Sequence, residues 1–282
     1  MAALGFLRRH WPEYAMEAAG LGFFMISAGL VTTLVESPDS PVRQAVEDPL
    51  LRRALIGIAM GLTAVALIHS PWGQQSGAHL NPAVTLAFWR LGKVATWDAV
   101  FYAASQTAGG TAGVLLVALF LGERFTAAPV SYVATLPGPQ GAAVAWLAEA
   151  AISFLLMLTV LAAANSARWM RFTGVFAGTL VALYIGLEAP LSGMSMNPAR
   201  TLASALPGGL FTGLWIYLTA PPLGMLAAVE AHRALRLTVC CAKLDHHSHR
   251  RCIFRCGYAA EPQATALAPE GEHPAGRMPA NA

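Results

Sequence analysis

The chain has 282 residues, of which 56% are hydrophobic and only 12% charged, against about 25% charged in an ordinary soluble domain. Its 18 Lys and Arg and 15 Asp and Glu cannot cover the surface of a soluble protein of this size, which excludes a typical soluble enzyme and leaves a polytopic membrane protein. The net charge of +3 is too small for a nucleic-acid binder, and the hydrophobicity too high for disorder over most of the chain.

Six segments are long and apolar enough to cross roughly 30 Å of hydrocarbon at about 1.5 Å per residue. They cover residues 14–35, 51–70, 98–121, 143–165, 172–190 and 212–235. The first reads as a retained span and not as a signal peptide, because its length suits a span and no A-x-A cleavage site follows it. The organisation expected is an N-terminal stretch over 1–13 and a membrane body over 14–235, with halves 14–121 and 143–235. A Cys/His-rich basic tail follows over 236–257, and then a Pro/Ala/Glu-rich disordered tail over 258–282. Two further apolar stretches, Asn81 to Leu91 and Asn197 to Leu206, favour helix but are too short to span.

Lys and Arg concentrate on one side of this arrangement. With six spans and Arg200 set aside, 13 fall on the side of both termini and 4 on the other, so both termini are expected in the cytoplasm. The membrane would be the cell's inner one if the source is bacterial.

The chain also repeats itself. Glu17-Ala-Ala leads into the first span and Glu149-Ala-Ala into the fourth, and Asn81-Pro82-Ala83 follows span two as Asn197-Pro198-Ala199 follows span five. Each half has three spans, an odd number, so the halves enter the membrane in opposite directions as an inverted repeat. Short hydrophobic segments at matching positions of such halves point to a substrate path. In each motif Asn suits an N-cap and Pro the first helical position, so each starts a short helix. Irregular backbone at membrane depth is tolerated only where it is buried in protein or lines water. Two helix N-termini aimed at one spot repel cations. Side-chain N–H groups of Asn81 and Asn197 can hold the oxygen of a passing water or polyol, interrupting a proton wire.

At this level the sequence resembles the major intrinsic proteins, the aquaporin and glycerol-facilitator family, over about residues 14–235. The resemblance rests on the paired Asn-Pro-Ala motifs with Arg200 after the second, on Glu17 and Glu149, on Gln106 in span three and on Pro221 to Gly224 in span six. It implies an all-α membrane protein of six transmembrane helices and two re-entrant half-helices that meet at the bilayer centre, assembled as a homotetramer. It also implies a narrow outer filter formed by Arg200 with three further positions. Ungapped counting from the motif asparagines puts these at Gly61, Ile185 and Met194.

Water-selective members resemble one another in pairing the Arg with an aromatic, a His and a small residue, and glycerol facilitators in using bulky aromatics and a Gly. Gly61, Ile185 and Met194 match neither set, whereas the small, uncharged Thr201 and Ala205 resemble water channels. A broad pore follows, passing water and a small neutral solute such as glycerol or an undissociated metalloid acid. Glu17 and Glu149 read as anchors for loop backbone N–H groups in preference to proton-coupling groups.

No nucleophile–base pair, phosphate loop or metal triad occurs in the membrane body, so no enzyme and no cofactor is expected there. The alternatives are an ion-coupled secondary transporter and a channel gated by metal through the tail. All four cysteines lie in the tail, so no disulfide framework holds the body. Cys240, Cys241, His246, His247, His249, Cys252 and Cys256 gather soft ligands able to take Zn(II) or Cu(I). The spacing fits no standard finger. Arg250, Arg251 and Arg255 make contact with anionic lipid the leading reading of the segment.

Overall fold

Each apolar segment forms a helix. In the computed structural model, which describes residues 2–166 and 168–258, the eight principal helices are α1 (Ala2–Glu36), α2 (Pro49–His69), α3 (Pro82–Arg90), α4 (Thr96–Leu121), α5 (Ala142–Ala164), α6 (Thr173–Leu187), α7 (Pro198–Gly208) and α8 (Leu214–Ala234). Six of them, α6 together with the turn Met170–Phe172 that leads into it, are long and apolar enough to cross a membrane, and no strand occurs among the described residues. α2 shows how the ends are set: Asp48 accepts from Leu50 N, Pro49 takes the first turn, and Ser70 closes the other end. The short α3 and α7 are the two segments that could not span.

The first difference from expectation is at the N-terminus, where α1 begins at Ala2 and absorbs most of residues 1–13. The cause is Asp98, fully buried in the first turn of α4. Tyr14 Oη donates to it at 2.6 Å, and His10 Nδ1 lies 2.6 Å from the same oxygen. A buried carboxylate must be satisfied, and helical turns that place His10 and Tyr14 four residues apart do so. The expected tail over 258–282 lies, apart from Tyr258, outside the described residues.

The packing follows the repeat. α1 lies along α4, α5 along α8, and α2 pairs with α6 across the halves, while α7 packs on α4 of the first half and α3 on α8 of the second. Each half-helix is therefore clasped by the third span of the opposite half. Lipid tails are as apolar as leucine, so such helices associate by close approach of small residues. At the α1–α4 crossing a Cβ on Gly109 would fall 1.9 Å from Ala18 O. At the α2–α6 crossing a Cβ on Gly61 or on Gly178 would fall 2.5 Å from the other's carbonyl oxygen. The outer faces are greasy, with Leu119 and Phe120 exposed by 75% and 79%, as a lipid-facing surface requires.

This crossing gives the first prediction. Gly61→Leu should destabilise the protein by about 1–3 kcal/mol through overpacking, whereas Met60→Leu should stay within about 1.5 kcal/mol. Thermal unfolding in detergent checks it, and equal midpoints for the two variants would contradict the packing.

Candidate pore

The ends of the two half-helices meet through their capping residues. Asn81 Oδ1 accepts from Ala83 N at 2.8 Å, and Asn197 Oδ1 from Ala199 N at 3.1 Å and Arg200 N at 3.2 Å. The amide nitrogens reach across the repeat: Asn81 Nδ2 donates to Met196 O and Asn197 Nδ2 to Leu80 O, both at 2.7 Å. An amide has two N–H donors. One on each Asn is thus spent on the opposite loop and one is left, and both residues line the central cavity.

The loops that carry these asparagines hold a strained backbone, and the strain is repeated. Ala78 and Leu80 have φ of 53° and 48°, and Met194 and Met196 have 51° and 53°. Positive φ is costly for such side chains and persists only where the surroundings over-determine it. Here the surroundings are two carboxylates. Glu17, from α1, accepts from Ser76 Oγ (2.7 Å), His79 N (3.1 Å), Leu80 N (2.6 Å) and Gln106 Nε2 (2.7 Å). Glu149, from α5, accepts from Ser192 Oγ (2.8 Å), Ser195 N (2.6 Å) and Met196 N (2.7 Å). Both glutamates are fully buried.

A second pair of clamps was not singled out as functional from sequence. Tyr102 Oη donates to Ser76 O at 2.7 Å, and Tyr217 Oη to Ser192 O. Only their equivalent positions in α4 and α8 signal them. His79 Nδ1 with Thr85 Oγ1 (3.0 Å) and Ser195 Oγ with Thr201 Oγ1 (2.6 Å) form a further matched pair.

A cavity of about 360 Å³ threads this region. It extends from Glu36 and Arg53 on the face opposite the termini, past Arg200 and the two asparagines, to Ile68 and His79 near the terminal face. Ile185, Met194 and Arg200 line it, but Gly61 does not. That position is corrected: Gly61 faces α6, where the Gly178 carbonyl leaves no room for a side chain, and Met60 takes the lumen side with Ile56 and Ala64 one turn away. Ungapped counting along the link between α2 and the motif therefore lands one residue off the lumen face. Arg53 also lines the cavity, so Arg200 is not the sole cation on it, although Arg53 Nε donates to Gly186 O at 3.3 Å. Arg200 Nη1 is buried without a protein partner.

The tail is ordered over its described part and partly buried. Cys241, His246, Cys252 and Cys256 bring one donor atom each to within 4.8 Å of the others. Cys240, His247 and His249 stand apart, which reduces the seven expected soft ligands to four. Cys240 is tied through its backbone to Asn165 Oδ1 and Gly257 N, while His247 pairs with Asp245 at 3.2 Å and packs on His249. The hydrogen bond from the Cys241 thiol holds the Cys252 thiol below the ordinary thiol range.

Comparison with known proteins agrees with this geometry. The family model described as major intrinsic protein matches residues 10–232. Aquaporin NIP1-4 of Oryza sativa subsp. japonica is 37% identical over 217 residues, covering 77% of this chain and 74% of its own. Aquaporin NIP1-1 of Arabidopsis thaliana is 32% identical over 219 residues, covering 77% and 71%. The X-ray structure of the aquaglyceroporin from Plasmodium falciparum superposes with a TM-score of 0.66 at 19% identity, over 79% of this chain and 95% of that one.

The carboxylate clamps generate the second prediction. Glu149→Ala leaves two backbone N–H groups and a hydroxyl without their acceptor, at about 1–3 kcal/mol for each buried donor. The variant should lose most of its folded yield in detergent and its thermal transition should fall sharply. A transition unchanged from the parent would refute the clamp.

Proposed function

The chain belongs to the major intrinsic protein family of membrane channels, and on that premise we propose that it passes water and small neutral solutes down their gradients while excluding protons and ions. It is an integral, multi-pass membrane protein of a non-enzymatic family. The observation that carries the proposal is the amide arrangement at the loop crossing. Each asparagine has its oxygen engaged by its own helix cap and one N–H by the opposite loop, leaving one N–H to face the cavity. Two such groups side by side donate to the oxygen of a water or a hydroxylated solute and turn its hydrogens away from the file ahead, so a proton has no continuous wire.

Exclusion of cations rests on the same point. Two helix N-termini with their partial positive charge converge there, and Arg200, which lines the cavity, adds a full charge. Desolvating a cation against these charges is costly, whereas a neutral solute exchanges water hydrogen bonds for those of Arg200 and the asparagines. Solute breadth follows from the walls. Met60, Ile185 and Met194 present flexible or branched apolar surface to the cavity, whose lining also includes Phe24, which favours a solute with one carbon face and one hydroxylated face, such as glycerol. Undissociated metalloid acids share the hydroxylated face. Both termini are placed in the cytoplasm by the charge bias, and a homotetramer is the assembly that the family implies.

Glu17 and Glu149, the carboxylates repeated at the two motif loops, give the ion-coupled transporter no support. Both oxygens of each already accept hydrogen bonds, so neither is free to take up a coupling ion.

Stopped-flow light scattering on proteoliposomes tests the reading with water, glycerol and arsenous acid. Protein-dependent, non-saturating flux of water and at least one solute is expected, and no gain over empty vesicles would sink it. Met60→Trp should cut glycerol flux by about tenfold while changing water flux by less than about threefold, because pore diameter acts first on the larger solute. Equal losses of both would remove Met60 from the filter.

A further inference from the structure

Residues 236–258, beyond the span matched by the family model, form no regular helix or strand. Even so, Cys241, Ala242, Lys243, Leu244 and Asp245 are buried. A short irregular segment has no core of its own, so something else must hold it together. Two features of the segment answer what holds it and where.

The first is the four-donor cluster. Cys241 Sγ and Cys252 Sγ are 3.6 Å apart, and Cys256 Sγ is 3.3 Å from His246 Nε2. Tetrahedral zinc, with Zn–S of about 2.3 Å and Zn–N of about 2.0–2.1 Å, sets sulfur ligands about 3.8 Å apart and a sulfur–nitrogen pair about 3.5 Å apart. The observed spacings are close to these and far beyond the roughly 2.05 Å of a disulfide. Cys₃His with no open position is a composition of structural zinc sites. The surrounding charge agrees. Lys243 is fully buried with Nζ donating to Arg251 O at 2.6 Å. The described residues place no carboxylate within ion-pair distance of it. Three thiolates and one Zn²⁺ leave a net charge of −1, which supplies the counter-charge that a buried ammonium needs.

The second is where the segment sits. Leu244 lines the central cavity at its terminal-side end. Leu244 N donates to Gly77 O at 3.2 Å, and His79 Nε2 lies 2.8 Å from Ala242 O, both on the loop leading to Asn81. Phe254 stacks on His79 at 5.3 Å between ring centres. Asp245 reaches His69 Nδ1 at 2.9 Å, and Arg251 reaches Glu13 at 3.5 Å. The segment thus lies across the mouth and is tied to α1, to the end of α2 and to the motif loop.

We propose that Cys241, His246, Cys252 and Cys256 bind one zinc ion and that the zinc-bound tail is a cap that closes the terminal-side mouth of the pore, loss of zinc releasing it. The gating half rests on the conduction reading, while the zinc site stands on its own. Binding that exists only in the folded cap adds its free energy to docking, so metal occupancy sets the closed population.

The full chain, reduced and purified, is loaded with zinc chloride, and bound metal is counted by mass spectrometry. Cobalt(II) loading adds a thiolate charge-transfer band as a second readout. About one zinc per chain is expected, falling below about a tenth in Cys252→Ser. In proteoliposomes, stripping zinc with a chelator should raise water permeability at least about fivefold. Cys252→Ser should conduct at the stripped level with or without zinc. Absence of bound zinc in the reduced chain overturns the site, and a flux that responds to Cys241–Cys252 oxidation and not to zinc overturns the cap. One zinc per chain with identical flux when loaded and stripped overturns the cap. No flux in any state, Cys252→Ser included, sinks the conduction reading and the cap together and leaves the zinc stoichiometry standing.

Discussion

Two buried carboxylates make the rest of the architecture feasible. At the depth of the bilayer an irregular loop exposes backbone N–H groups that water cannot reach, and each unsatisfied group is expensive. Glu17 and Glu149 are fully buried and each accepts from two such groups. Ser76 and Ser192, each held through its carbonyl by a tyrosine, complete the same clamp in both halves. With their loops so fixed, Ala78, Leu80, Met194 and Met196 can remain in the left-handed region. That twist brings the Leu80 and Met196 carbonyls to the amide of the opposite asparagine. Carboxylate, strained loop and asparagine form one chain of cause, present twice.

The consequence is a constriction whose selectivity is built from what is left over. Most polar groups near the crossing are spent on structure, and the remainder are one N–H on each asparagine and one end of the Arg200 guanidinium. These are donors only, in a region of converging helix N-termini. On the proposed reading, a donor-only constriction welcomes an oxygen and is hostile to a cation, while the apolar Met60, Ile185 and Met194 of the lining set how large the oxygen compound can be. The scarcity of charge in the chain as a whole belongs to the same logic, and Glu36, a carboxylate lining the cavity, is paired with Arg43 and Arg52 at the end opposite the termini.

Much of this was legible from residues alone. The six spans, the two half-helices and the opposite insertion of the halves follow from hydrophobic length, the Asn-Pro pair and the odd number of spans per half, while the end-to-end meeting of the half-helices came from the family resemblance. Glu17 and Glu149 could be read as anchors because they recur at matching places. The filter was legible only in part. Gly61 and Met60 are adjacent on α2, one helical residue apart, and which of them meets the lumen depends on the length of the link before Asn81. Counting without gaps cannot supply that length, whereas the α2–α6 crossing decides it through the Gly178 carbonyl. The helical start of α1 was likewise hidden, since the reason for it, Asp98, lies far along the chain. In the tail the ligand types were visible but not the subset that converges, because irregular backbone has no periodicity from which to project directions. The same segment brings Leu244 to the cavity that the two halves enclose, a placement that no local pattern announces.

The central claim is that asparagine donors held by the carboxylate-clamped loops pass oxygen compounds while breaking the proton wire. Its most direct test is to record water permeability and proton flux on the same chelator-treated proteoliposomes, by light scattering under an osmotic step and by an entrapped pH dye under a pH step. The account predicts water flux well above empty vesicles with proton flux indistinguishable from them. Proton flux that rises in step with water flux would contradict it.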